Sequence, residues 1–138
     1  AGAVRRLPAP RPGVESPVMI LAATLLTAAV ALLHVYFLVL EMFLWEAPAG
    51  RRAFGLSAEM AKATRMLAAN QGLYNGFLAA GLGWALWRGA AGFEMRVFFL
   101  ACVMVAGAFG AATASRKILW IQALPAALAL AASLLARG

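Results

Sequence analysis

His34 and Glu41 are the two residues of the first long apolar stretch whose side chains could take part in acid–base chemistry. Their spacing is nearly two turns of α-helix, which places both on one helix face about 10 Å apart. Imidazole titrates near neutral pH, so His34 is a candidate proton donor or acceptor. The alternatives are a hydrogen-bonded core histidine and, for Glu41, a hydrated carboxylate or an ion pair with Arg116 or Arg52.

A second group of polar residues, spaced three and four residues apart, lies in the next apolar stretch and consists of Asn70, Gln71, Tyr74 and Asn75. Their amides carry donors and acceptors, which suits the binding of a neutral polar group and equally suits tying one helix to another. A tyrosine beside a histidine and a carboxylate can serve in proton transfer. The candidate catalytic residues are therefore His34, Glu41 and Tyr74, and the candidate substrate-binding residues are Asn70, Gln71, Asn75 and Gln122.

The composition indicates that a membrane surrounds these residues. Of the 138 residues, 64% are hydrophobic and 12% are charged, whereas a soluble domain is about half apolar and about a quarter charged. The net charge of +7 comes from basic residues scattered through short segments between apolar stretches. That placement fits lipid headgroups better than a nucleic-acid stripe, so we exclude nucleic acid as a partner.

The apolar stretches predict an all-α, integral membrane four-helix bundle in one domain, residues 18–138, behind a Pro/Arg-rich tail, residues 1–17. A helix that crosses the hydrocarbon core needs about 20 apolar residues, and the predicted spans are residues 18–45, 67–87, 93–114 and 118–136. Ser57 is a predicted N-cap for a helix that runs uninterrupted into the second span. Pro125 is expected to kink the fourth span. Tryptophans near the span ends, Trp45 among them, suggest an aromatic belt.

Four spans would bring the polar residues of all four helices into one half of the membrane. Counted inward at about 1.5 Å per residue, Glu41, His34, Asn70 and Asn75 lie at overlapping depths, and Gln122 lies near them. This predicts a polar pocket that opens toward the first and third loops. For Gln122 we favour the alternative that its amide satisfies backbone groups freed by the proline. Close-packed small residues, such as Gly72 and Gly76, are expected to bring the helices together.

Orientation and cofactors follow less directly from the composition. Lysine and arginine divide equally between the two sides of a four-span topology, so the positive-inside rule selects neither orientation. With one cysteine, Cys102, and one histidine, a disulfide or a tight metal site is not expected. We expect no cofactor.

Three motifs resemble a known family. They are His34-Val-Tyr-Phe-Leu-Val-Leu-Glu41-Met-Phe-Leu-Trp45, Asn70-Gln71-Gly72-Leu-Tyr74-Asn75-Gly76-Phe-Leu-Ala-Ala, and Gln122-Ala-Leu-Pro125-Ala126. In these motifs the chain resembles the bacterial membrane family catalogued as domain of unknown function thirteen-oh-four. The resemblance covers nearly all of the chain from Met19 onward. The resemblance implies a small four-span protein of the bacterial inner membrane and places the candidate residues at motif positions. It implies no activity.

Three hypotheses of function remain open at this point. The first is a bundle whose pocket binds a small, partly apolar molecule or isomerises it by proton transfer, with His34 as acid or base and Glu41 as its partner or orienter. The second is a proton-coupled transporter, which with only four helices would work as a homodimer. The third is a non-catalytic assembly or partner protein, in which polar stripes only hold helices together.

Overall fold

A computed structural model describes residues 16–137, and in that part of the chain every regular element is helical. The five α-helices are α1 (Pro17–Met42), α2 (Pro48–Phe54), α3 (Ala58–Trp87), α4 (Phe93–Thr113) and α5 (Leu124–Arg137). A short 3₁₀ turn, Gly89–Gly92, precedes α4, and a π-helical segment, Leu119–Ala123, precedes α5. The predicted all-α class is confirmed. The tail, residues 1–17, lies almost entirely outside the described residues.

The four longer helices pack in the order α1, α3, α4, α5, with α5 returning to α1. The strongest of these contacts joins α1 to α3. Small and medium apolar side chains fill the centre, and the buried cluster consists of Val30, Leu82, Leu100, Val103, Ala126 and Ala129. Alanines at the contact let helix backbones approach closely.

Three helices are long and apolar enough to cross a membrane. They are Pro17–Met42, Gly89–Thr113 and Leu119–Arg137, which correspond to the first, third and fourth predicted spans. Their outer surfaces carry exposed apolar side chains such as Leu32, Phe109 and Leu135. The 30-residue α3 is long enough, but Asn70, Gln71 and Asn75 lower its apolar character, and its crossing stays a prediction.

The start of α3 agrees with the sequence analysis. Ser57 has extended backbone angles, and its side-chain oxygen accepts a hydrogen bond from the backbone N–H of Met60 at 3.1 Å. This contact satisfies one of the donors that a helix leaves free in its first turn. The helix then runs without a break to Trp87, so the predicted continuity is confirmed.

A short helix that the sequence analysis missed, α2, connects α1 to α3. Pro48 stands in its first turn, and Gly55 ends it in the left-handed conformation with φ of 66°, which is a common pairing of start and stop residues. Gly50 lies directly against the carbonyl of Leu44. The sequence analysis treated these prolines and glycines only as a chain break.

Trp45 was expected in an aromatic belt, and the structure places it in an internal contact instead. Its indole Nε1 donates a hydrogen bond to Thr64 Oγ1 at 3.0 Å, and its ring centroid lies 4.7 Å from that of Phe54. Trp45 therefore ties the end of α1 to α2 and α3. By contrast, Trp84, Trp87 and Trp120 are exposed.

The predicted disturbance at Pro125 takes the form of a π-helical segment. Leu119–Ala123 ends just before the proline, which has no backbone N–H to donate and disturbs an α-helical ladder. The wider turn brings Ala123 against Gly107 of α4, where a β-carbon on the glycine would lie 2.8 Å from the backbone nitrogen of Ala123.

Glycines on α3 set its contact with α1, as the sequence analysis predicted. A β-carbon added at Gly72 would lie 2.6 Å from Met42 Cγ and 3.0 Å from Glu41 Cβ, and one added at Gly76 would lie 2.6 Å from Leu38 Cδ1. The two helices therefore touch along the face that carries these glycines.

Gly72→Ala should destabilise the protein by about 1–3 kcal/mol, because the added methyl group overpacks the α1–α3 contact. Gly83→Ala is the matched control in the same helix, since nothing lies within 4 Å of its β-carbon position. The control should be neutral or stabilising by about 0.5–1 kcal/mol, the usual gain of alanine over glycine in a helix. Thermal unfolding of both variants in mild detergent measures the difference, and equal effects would contradict the described contact.

Candidate functional site

His34 lies on α1 in the centre of the packed helices and has no exposed surface. Its Nδ1 is 2.8 Å from the carbonyl oxygen of Val30, and its Nε2 is 3.1 Å from Nε2 of Gln122. The Val30 carbonyl can only accept, so Nδ1 carries the hydrogen and Nε2 accepts from the Gln122 amide. The ring also packs edge-on against Phe37. Both ring nitrogens are therefore used inside the protein.

Gln122 is placed for this contact by the π-helical segment that carries it. The sequence analysis favoured a different role, in which the Gln122 amide satisfies backbone near Pro125. The amide nitrogen instead reaches across to α1, so that expectation is wrong. The contact links α1 to the chain that leads into α5.

Glu41 and Asn75 form the second buried polar pair. Asn75 Nδ2 donates a hydrogen bond to Glu41 Oε2 at 2.6 Å. Both residues are buried, Asn75 with 5% and Glu41 with 8% of its surface exposed. The sequence analysis gave a hydrated carboxylate and an ion pair with Arg116 or Arg52 as alternatives for Glu41, and neither describes its surroundings. The ion pair found within residues 16–137 does not involve Glu41. It joins Arg65 to Glu46 at 3.6 Å, and both of these side chains are well exposed.

Three of the candidate residues face away from this interior. Asn70, Gln71 and Tyr74 are exposed, Tyr74 by 58%. At 100° per residue, Asn75 lies on the same side of α3 as Gly72, toward α1, whereas Asn70 and Tyr74 lie on the opposite side. The polar stripe on α3 is thus divided between an inner and an outer face.

The structure consequently brings together only part of the predicted site. His34 with Gln122, and Glu41 with Asn75, form two pairs along α1. Arg116, one of the ion-pair partners considered for Glu41, is exposed. The cavity at the ends of α3 and α5 and the surface hollow beside α2 are both lined by residues other than these pairs.

The chemistry open to the paired residues is limited by their surroundings. Within the described residues there is no group of three or more His, Cys, Asp or Glu side chains that could hold a metal ion. Both nitrogens of His34 and the amide nitrogen of Asn75 already have protein partners. The arrangement is well suited to fixing helices against each other, since buried polar groups are costly unless they are hydrogen-bonded.

Sequence reasoning assigned no role to Arg96, which the structure buries to 8% exposure. It is the fourth residue of α4, inside a predicted span. A basic residue inside a predicted span is uncommon and often functional, and this was the signal that could have singled it out. The other buried polar side chains, Thr27 and Ser133, donate to carbonyls of their own helices.

The Glu41–Asn75 hydrogen bond should show a measurable coupling energy in a double-mutant cycle. Asn75→Ala is expected to cost about 1–3 kcal/mol, because it leaves a buried carboxyl oxygen without its donor, and the coupling to Glu41→Leu should exceed about 0.5 kcal/mol. The exposed Arg65–Glu46 pair is the control, and its coupling should be smaller than that of the buried pair, because solvent screens exposed charges. The free energies of unfolding of the parent, single and double variants in detergent give the coupling energy of each pair. A coupling energy within error of zero at Glu41–Asn75 would refute the contact.

Comparison with known proteins agrees with the family resemblance seen in the sequence motifs. A family model described as a protein of unknown function, DUF1304, matches residues 28–134, a range that includes every candidate residue. Over 117 residues the chain is 30% identical to the Uncharacterized protein YpaA of Lactococcus lactis subsp. lactis (strain IL1403). The matched region covers 83% of this chain and 98% of that protein. No solved structure is significantly similar. The resemblance seen in the three motifs is confirmed, and the chain belongs to the DUF1304 family.

Proposed function

We propose that this chain is a four-crossing protein of the bacterial cytoplasmic membrane whose role is assembly, and that its α3 binds a second copy of the chain. The observation that carries the proposal is the outward position of Asn70, Gln71 and Tyr74. We call the surface around them the α3 outer face, which consists of Leu67, Asn70, Gln71, Tyr74 and Phe77.

The α3 outer face differs from the exposed surfaces of the other long helices. Those helices present large apolar side chains, and they are apolar enough to cross a membrane by themselves. Amide side chains that face hydrocarbon have no water to bond, and membrane helices bury such groups against other helices. An α3 that crosses the membrane therefore needs a cover over Asn70 and Gln71.

A second copy of the chain is the cover that fits the chemistry of this face. Between Met66 and Trp87, α3 has no charged residue, so two copies would not repel one another there. Asparagine, glutamine and tyrosine each donate and accept hydrogen bonds. Two identical faces can therefore satisfy each other about a two-fold axis, which is the commonest symmetry of oligomers.

The buried pairs favour assembly over catalysis or transport. A proton-transfer isomerase or a proton-coupled transporter would need His34 or Glu41 to meet a substrate or water. His34 has no exposed surface and both ring nitrogens are bonded, while Glu41 accepts from Asn75. In an assembly protein the same pairs have a sufficient role, because they hold α1 against α3 and the π-helical segment.

The crossing of α3 can be tested by cysteine labelling from one side of the membrane. In a Cys102→Ser background, Ala53→Cys and Ala90→Cys flank α3 at exposed positions, and Ala114→Cys follows α4. A membrane-impermeant maleimide added to intact cells should either label both Ala53→Cys and Ala114→Cys but not Ala90→Cys, or label Ala90→Cys alone, depending on the orientation of the chain. Inside-out vesicles should give the reverse pattern. The same labelling for Ala53→Cys and Ala90→Cys would contradict a crossing α3.

Self-association can be tested by cross-linking in the same Cys102→Ser background. Tyr74→Cys on the α3 outer face should give a covalent dimer of the chain on oxidation in bilayers, because residues near a two-fold axis meet their own copies. Phe109→Cys, 70% exposed on α4, is the control and should remain monomeric.

Three results of that experiment would overturn the proposal. They are equal cross-linking at the two positions, a monomer at both, or a product whose mass shows a different protein joined to Tyr74→Cys. The last result would point to a heteromeric membrane assembly in place of a homodimer.

A further inference from the structure

A cavity of about 140 Å³ lies at the end of the packed helices where α1 and α4 begin and α3 and α5 end. A buried water needs only about 10–15 Å³, so the cavity has room for a small group of several atoms. Arg96 and Arg137 line it, together with the hydroxyl-bearing Thr24 and Ser133, and none of the lining residues in the described part of the chain is acidic. It is far along α1 from the Glu41–Asn75 pair.

Arg96 is the unusual feature of this cavity. Its side chain is 8% exposed, and its Nε, fully buried, has no hydrogen-bond partner in the described part of the chain. Its Nη2 donates to the carbonyl oxygen of Gly89 at 3.3 Å. Within residues 16–137 no carboxylate lines the cavity beside it, and a buried guanidinium with an unsatisfied N–H is costly. An oxyanion in the cavity would remove that cost.

Arg137 supplies a second cation, held in place by an aromatic ring. Its guanidinium carbon lies 4.2 Å from the centroid of Phe93, the first residue of α4. This cation–π contact positions the charge at the cavity and limits its motion. The hydroxyls of Thr24 and Ser133 donate to carbonyls of their own helices, so the side-chain donors available to a ligand come from the two arginines.

We propose that the cavity between Arg96 and Arg137 binds a phosphate group. Guanidinium groups match the geometry of phosphate oxygens and bind them through two parallel hydrogen bonds. The cavity lies at the end of three apolar helices, the level at which lipid headgroups meet basic residues. The phosphate therefore comes either from an anionic lipid headgroup or from a soluble phosphate compound. This proposal does not depend on self-association through α3.

The test uses the full chain, delipidated in non-ionic detergent, with two probes. Phosphatidylglycerol is compared with phosphatidylcholine by native mass spectrometry and thermal unfolding, and inorganic phosphate is titrated against chloride at constant ionic strength. Arg137→Gln should weaken binding of the effective probe about tenfold or more, the loss expected for charge-assisted hydrogen bonds. Arg96→Lys should also weaken it, because lysine lacks the planar fork.

Arg88→Gln is the matched control, since it removes one exposed positive charge at the same end of the helices without touching the cavity. It should bind like the parent chain. A preference for phosphatidylglycerol that only the cavity variants lose assigns the site to a lipid headgroup, and a response to inorganic phosphate that they lose assigns it to a soluble phosphate. The proposal is overturned if neither probe binds, or if Arg88→Gln loses as much affinity as Arg137→Gln.

Discussion

Hydrogen bonding of the polar side chains on α1 is the constraint on which the rest of this structure depends. His34 and Glu41 are buried within a helix whose neighbours are almost entirely apolar, and a buried polar group without a partner costs about 1–3 kcal/mol. The partners come from two different elements, Gln122 on the π-helical segment and Asn75 on α3. Apolar contacts alone would allow these elements to slide or rotate, whereas paired polar atoms are satisfied in only one arrangement. The two pairs therefore set the position of α3 and of the last helical segment relative to α1.

The close approach of the helices follows from the same requirement. A hydrogen bond of 2.6 Å between Asn75 and Glu41 needs the backbones of α1 and α3 to lie near each other, and Gly72 provides the space beside Glu41. On the other side, Gly107 provides space for Ala123 in the segment that carries Gln122. Glycine thus stands where a polar side chain must reach across to a neighbouring helix. The cost of glycine within a helix, about 0.5–1 kcal/mol, is offset by contacts that a larger residue would prevent.

Much of the helix plan was predictable from the sequence because it depends on local signals. The N-cap at Ser57, the continuity of α3 and the glycine contacts at Gly72 and Gly76 all follow from residue type and spacing. The rotation of each helix does not, because it is fixed by packing against neighbours that the sequence alone does not order in space. Asn70 and Asn75 are both asparagines in one polar stripe, yet one faces outward and the other reaches α1. For the same reason the sequence did not identify Asn75 as the partner of Glu41, and the favoured role for Gln122 was wrong. The short α2 was missed because its proline and glycine are equally typical of an irregular loop.

The outward position of Asn70 and Tyr74 is a consequence of the inner contacts of α3. Turning α3 so that Asn70 faced α1 would move Gly72 and Gly76 away from Met42 and Leu38, against which they pack closely. The same rotation would break the bond between Asn75 and Glu41. The inner face of α3 is therefore committed to α1, and its remaining polar side chains have no partner within the described chain. For an α3 that crosses the membrane, as proposed above, the same face of a second copy would supply those partners.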